Sequence, residues 1–155
     1  MVEIAFVMPL FLLMVFAVIE IGRLWAAKQA LTAAAREGAR VLVLPYGAGL
    51  TYNSDGEVQA AATAIVRDYL NSSGVGVAAT TEIIPVRVAP GGDSTLGTAD
   101  DTFERNYTNG QRGDRVGIHI KHDFDTVLVG ILGMFGRADN PNQFKIAATA
   151  LLDHE

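Results

Sequence analysis

Sixteen consecutive residues, Ile4 to Ile19, carry no charge and a single proline, and they stand between Glu3 and Glu20 in MVEIAFVMPLFLLMVFAVIEIGR. The run falls short of the roughly 20 apolar residues of a comfortable bilayer span. Met1, Val2 and Ile21 bring it close, with Glu3 and Glu20 near the two interfaces. Nor does the pattern break where the apolar run ends. The continuation EIGRLWAAKQALTAAAREGARVLVL is rich in Ala, Leu, Arg, Lys, Gln and Glu, which favour helix, and the first strong breaker is Pro45. One helix is therefore expected from about Val2 to Leu44, roughly 60–65 Å long at about 1.5 Å per residue. That is too long for the core of a small domain, so one half must lie in lipid or against other subunits. A discarded secretion signal is the less favoured reading, because helix-forming sequence runs straight on from the apolar stretch.

Three features of this helix invite a role in assembly. Pro9 removes one backbone hydrogen bond and should bend or loosen the apolar half, which lipid tolerates where neighbouring groups satisfy the freed carbonyl. Gly22, Ala26, Ala30, Ala34 and Gly38 recur every four residues, a stripe along which another backbone can approach closely. The approaching element is either the protein's own sheet or another copy. The glutamates are costly beside an apolar helix and call for partners. Glu3 is placed to meet the terminal amine of Met1 from a second copy in a stack of such helices, whereas Glu20 has Arg23 within reach on its own helix.

Residues 46–155 form a head of different character. Residues 1–45 hold three glutamates and four cations, a net +1, so the remainder carries −6 of the chain's total of −5. A mildly acidic head without a clustered basic face argues against nucleic acid as a partner. The absence of cysteine excludes disulfide frameworks, thiolate metal sites and attached c-type haem. After a Gly-rich turn, SDGE reads as a capping box, with Ser54 capping a short helix from about Asp55 to Leu70. Val58, Ala61, Ala62, Ile65 and Tyr69 fall on its apolar face, and Gly74 is positioned as a left-handed stop.

Three strands are expected beyond it. In TEIIPVRVAP, Ile84, Val86 and Val88 alternate, and Pro85 demotes the run to an edge or bulged strand. DRVGIHIKHDFDTVL is the clearest strand, with Val116, Ile118, Ile120, His122 and Phe124 on one face. NQFKIAATALLDHE presents Phe144, Ile146, Ala148, Ala150 and Leu152 in the same way. A sheet with one apolar face needs a cover, which the later part of the long helix and the short helix can supply. Residues 89–113 read as a long polar excursion, and 129–137 as an apolar connection fit for a contact surface. The expected fold class is α+β: a long N-terminal helix (1–45, apolar half 1–21) on a small antiparallel sheet of about three strands, with one short extra helix.

Catalytic chemistry finds little support. His119 and His122, three apart on a strand, face opposite sides and make poor co-ligands. Asp93, Asp100, Asp101 and Glu104 lack the ordered alternation of a calcium loop. Arg112-Gly113-Asp114 enters a strand and is short enough to arise by chance. Asn71-Ser72-Ser73 and Asn106-Tyr107-Thr108 both fit the N-glycosylation pattern, which by itself is a weak signal. Neither an enzyme activity nor a cofactor or metal is expected.

VEIAFVMPLFLLMVFAVIEIGR followed by ALTAAAREGARV resembles the TadE-like pilins and pseudopilins of tight-adherence systems. GDRVGIHIKHDF and FKIAATALLDHE resemble that family's closing strands more loosely. The resemblance implies a type IV pilin-like protein whose leader is cut by a prepilin peptidase. The helix would hold it in the cytoplasmic membrane until the pilus assembly machinery extracts it into a filament of copies of itself on the cell surface. The alternative role is a minor pseudopilin or anchored assembly component. The family's glutamate corresponds to Glu3, third in this chain where the family's stands fifth after cleavage. Either Met1 is a mature terminus in a shifted register or a short stretch precedes it.

Overall fold

The computed structural model describes residues 2–45, 47, 49–75, 77, 81–89, 102–105, 114–125 and 143–153. Helix α1 runs over Val2–Leu42 and helix α2 over Asp55–Ser72. Four strands follow, β1 Glu82–Ala89, β2 Thr102–Arg105, β3 Arg115–Asp125 and β4 Gln143–Asp153. They form one sheet in the order β2-β1-β3-β4, antiparallel throughout. The α+β architecture agrees with the sequence reading, with one strand more than expected. The extra strand is β2, inside the stretch read as a polar excursion. Its four residues are all exposed and carry no apolar alternation. It is held instead by backbone pairing to β1 and by a side-chain bridge, Arg87 Nη2 to Glu104 Oε2 at 2.5 Å.

Both helices end where local chemistry dictates. α1 stops three residues before Pro45, two residues earlier than the pattern alone gave. Ser54 caps α2 by accepting a hydrogen bond from the Glu57 amide. The Glu57 carboxylate returns not to Ser54 but to the amide of Asn53, at 2.8 Å, one residue further out than in a standard capping box. At the other end Gly74 has φ +78, the left-handed stop that a residue with a Cβ adopts at a cost.

The core lies between the two helices and one face of the sheet. α2 buries Val58, Ala62, Val66 and Leu70, one residue per turn. Ala61 and Ile65 pack at its margin, while Tyr69, expected on this face, is 39 % exposed. The i, i+4 ladder from Val58 is straighter than the i, i+3 reading, which rotates the helix away from Tyr69. From β3 come Val116, Ile118 and Ile120, and from α1 Leu31, Ala34, Ala35, Val41 and Leu42. Each fully buried leucine here, Leu31, Leu42 or Leu70, contributes about 1.5–3 kcal/mol relative to leaving it exposed.

The register explains two departures in β1. Ile83, Pro85 and Arg87 stand opposite Ile120, Ile118 and Val116, so they occupy the helix-facing side. Ile84, Val86 and Val88 do share a face, as their alternation predicts, but it is the side turned away from the helices. β1 is also an inner strand rather than an edge. Its pairing with β2 starts only at Val86, so Pro85 lies beyond the stretch where β1 has neighbours on both sides.

Candidate functional site

The functional geometry is concentrated on α1. Its first half makes almost no contact with the head: Ile4 and Val7 through Phe16 are exposed, as are Val18, Ile19 and Ile21. Val7–Leu42 is long and apolar enough to cross a membrane, and only 6 % of its most apolar window is buried within the chain. A core helix of a soluble domain would bury that surface. The second half turns a stripe of small and branched residues inward, with Ala27, Leu31, Ala34, Ala35, Ala39 and Leu42 buried.

Within the four-residue stripe the positions divide. Ala34 and Gly38 are buried against the protein's own elements, and Ala30 is half-buried. At Gly38 a Cβ would stand 2.5 Å from Val66 Cγ2 and 3.0 Å from Ile118 Cγ1, so α1 approaches α2 and β3 as closely as glycine permits. Ala26 is exposed, and Gly22 has nothing within 4 Å of where its Cβ would be. Pro9 sits within the exposed half of the helix. Glu3 belongs to α1 by its backbone, and nothing is described of its side chain; Met1 lies outside the described residues.

Glu20 marks the boundary between the two halves. Its side chain is 9 % exposed and accepts from Arg23 Nη1 at 3.0 Å, the pairing along its own helix. Arg23 also lies over the ring of Phe124 on β3, 5.4 Å from the centroid, in the geometry of a cation–π contact. The end of the apolar rod is thus fastened to the near end of the sheet.

Beside this joint, α1 and the β4 edge enclose a groove of about 830 Å³. Ile21, Leu24 and Trp25 line one end, and Lys28, Arg36 and Lys145 add charge along it. This groove was not anticipated from sequence. The signal available was Trp25, the chain's only tryptophan, placed six residues past the apolar run.

The residues considered for chemistry are dispersed. His119 Nδ1 lies 2.6 Å from Thr149 Oγ1, and His122 Nδ1 2.8 Å from Thr81 Oγ1, on opposite faces of the sheet. Partial burial lowers the His119 pKa from 6.5, with Arg105 and Lys121 adding to the effect and Glu82 opposing it. Glu104 and Asp114 both bridge to Arg87, at 2.5 and 3.4 Å. Asp93, Asp100, Asp101, Asn106, Arg112, Gly113, His154 and the apolar connection 129–137 lie outside the described residues. Among the described residues no three His, Asp or Glu side chains come together as a metal site.

An α+β head carried on a helix whose first half is an unburied apolar rod has the build of a protein anchored to a membrane through one N-terminal helix. The sequence model of the TadE-like protein family matches residues 1–40, which span the rod and most of the helix packed on the head. The match covers the segment in which the sequence resemblance was most specific, and with the apolar helix it fits a protein associated with a tight-adherence pilus. No curated protein and no solved structure matches the chain.

Proposed function

We propose that this protein is a structural, non-enzymatic subunit of a tight-adherence, type IV-like surface pilus, polymerising through the apolar half of α1. The observation that carries this reading is the exposed apolar surface of Ile4, of most of Val7–Ile19 and of Ile21 within the TadE-like stretch. So much apolar surface in water would be a severe liability. Lipid covers it while the subunit waits in the cytoplasmic membrane, and other copies cover it once a prepilin peptidase and the assembly machinery have moved the subunit into a filament. Gly22 and Ala26, open on the single chain, are then the positions where neighbouring helices approach closely. Glu3 pairs with the terminal amine of a neighbouring copy, neutralising two charges in an apolar core. The head occupies the filament exterior, where it mediates attachment.

The second reading is a minor pseudopilin or anchored assembly component that never forms the bulk filament. It is favoured by the 155-residue length, larger than the very short main pilins of tight-adherence systems. Mass spectrometry of purified surface filaments separates the two. A dominant share of this chain is expected from a filament subunit; a trace share sinks that role and leaves the minor one. Glu3→Ala is expected to stop assembly while the subunit still accumulates in the membrane. Normal filaments from that variant would remove the charge pairing from the mechanism.

A further inference from the structure

The groove between α1 and β4 combines cations that no part of the pilus role uses with an apolar end that continues the rod. Its cations are unanswered among the described residues: Lys28, Arg36 and Lys145 make no ion pair with any of them, and no described carboxylate lines the groove. Its apolar end, Ile21, Leu24 and Trp25, is continuous with the exposed apolar surface of the rod. The two are ordered along the helix axis. Lys28 lies about 10 Å, two turns, beyond Ile21. A bilayer's hydrocarbon layer takes up about 20 helical residues, which places its edge close to Ile21 and Leu24. Tryptophan favours the interfacial layer just outside, and lysine reaches into the headgroups with its stem on apolar surface. Trp25 is 69 % exposed at that level.

We propose that this groove seats the headgroup of an anionic phospholipid in the leaflet facing the head. Lys28 and Lys145 hold the phosphate, and Trp25 lies at the glycerol–acyl boundary. Arg36 extends the positive field at the far end. The inference rests on the membrane-anchored stage of the function proposed above and goes beyond it by giving that stage a lipid preference. A seated headgroup would fix how the head stands on the bilayer before extraction, with the groove emptied when the subunit leaves. A second copy of this acidic chain is the competing occupant. The continuity of Ile21, Leu24 and Trp25 with the membrane-facing surface favours lipid.

Trp25 supplies the measurement, because every tryptophan signal of the full chain comes from this groove. The chain is reconstituted in phosphatidylcholine vesicles containing a minor share of brominated phosphatidylglycerol, or the same share of brominated phosphatidylcholine. With about a fivefold gain per engaged cation, brominated phosphatidylglycerol is expected to quench with an apparent association at least about fivefold stronger. The preference is expected to fall to parity in Lys28→Gln/Lys145→Gln, and to persist in Arg67→Gln, an exposed cation on α2. Circular dichroism confirms that each variant keeps its helix. Equal quenching by both lipids overturns the proposal. So does a preference abolished by millimolar glycerol phosphate, which would indicate a soluble anion, or shielding of Trp25 that grows with protein density, which would indicate a second copy. Flotation of the vesicles reads the underlying membrane stage separately: a chain that floats without a phosphatidylglycerol preference overturns the lipid site alone, and one that does not float overturns both.

Discussion

Arg23 on α1 holds its guanidinium carbon 5.4 Å from the centre of the Phe124 ring on β3 while donating to Glu20 at 3.0 Å. One side chain therefore answers a poorly exposed carboxylate and ties the helix to the sheet at the level where the apolar rod leaves the head. Removing it weakens both contacts together. Arg23→Ala is expected to destabilise the head by about 1–3 kcal/mol, in the range for withdrawing one partner of a part-buried charged hydrogen bond. Arg23→Lys should recover part of this, since lysine keeps the charge but lacks the planar fork. Denaturant melts of the full chain in detergent provide the check, and an unchanged midpoint for Arg23→Ala would show that the joint carries no weight.

Gly38 and Gly22 belong to one stripe but should respond oppositely to alanine. At Gly38 the new methyl meets Val66 Cγ2 at 2.5 Å, and valine in a helix has little rotamer freedom with which to yield. Overpacking of this kind costs about 1–3 kcal/mol, offset by at most about 1 kcal/mol from alanine's better helix propensity. A net loss is expected for Gly38→Ala, reduced when Val66→Ala is made alongside it. Gly22→Ala has open space and should leave the single chain as stable or slightly more so. Thermal midpoints of the two single variants and the double variant are the measurement, and a stabilised Gly38→Ala would contradict the packing.

Gly117 is the more severe case. A Cβ there would run into the β4 backbone, at the Ala150 carbonyl and at 2.9 Å from Leu151 Cα. Main chain cannot swing aside as a side chain does. Gly117→Ala should therefore disrupt the β3–β4 ladder around the Gly117–Leu151 pair, with a loss of about 3 kcal/mol or more, at the upper end for single substitutions. Amide exchange along β3 and β4 tests the location: protection should fall there first, while α2 stays protected.

His119 introduces a pH dependence whose sign follows from its surroundings. Burial is the main cause that lowers its pKa below 6.5, and Arg105 and Lys121 repel the proton further. The unfolded chain then binds the proton more readily than the native one. Its stabilising contribution is complete above about pH 6.5 and is lost as the pH falls from there through the native value. His119→Gln is expected to flatten this part of the stability–pH curve, below about pH 6.5. A proton titration of the ring by NMR gives the direct check; a native midpoint at about 6.5 abolishes the effect and one above it reverses the sign.

Sequence alone determined the parts governed by local chemistry. An uncharged run followed without a breaker by Ala, Leu, Arg and Glu can only continue as helix, and α1 does so to Leu42. Ser54 and Gly74 announced the ends of α2, because a capping hydroxyl and a glycine act within one turn of themselves. Alternation also gave β3 and β4 their core faces. What tertiary structure decided were the relations between distant segments. β2 has no apolar pattern and exists because β1 offers it a backbone ladder and Arg87 a partner for Glu104. Alternation put Ile84, Val86 and Val88 on one face, but only pairing with β3 turned that face away from the helices. Periodicity drew a single stripe from Gly22 to Gly38. Packing divided it, because the head reaches only the second half of α1, closing over Ala34 and Gly38 and leaving Gly22 and Ala26 open. The groove of Trp25, Lys28 and Lys145 likewise required a strand more than a hundred residues away to be laid beside the helix.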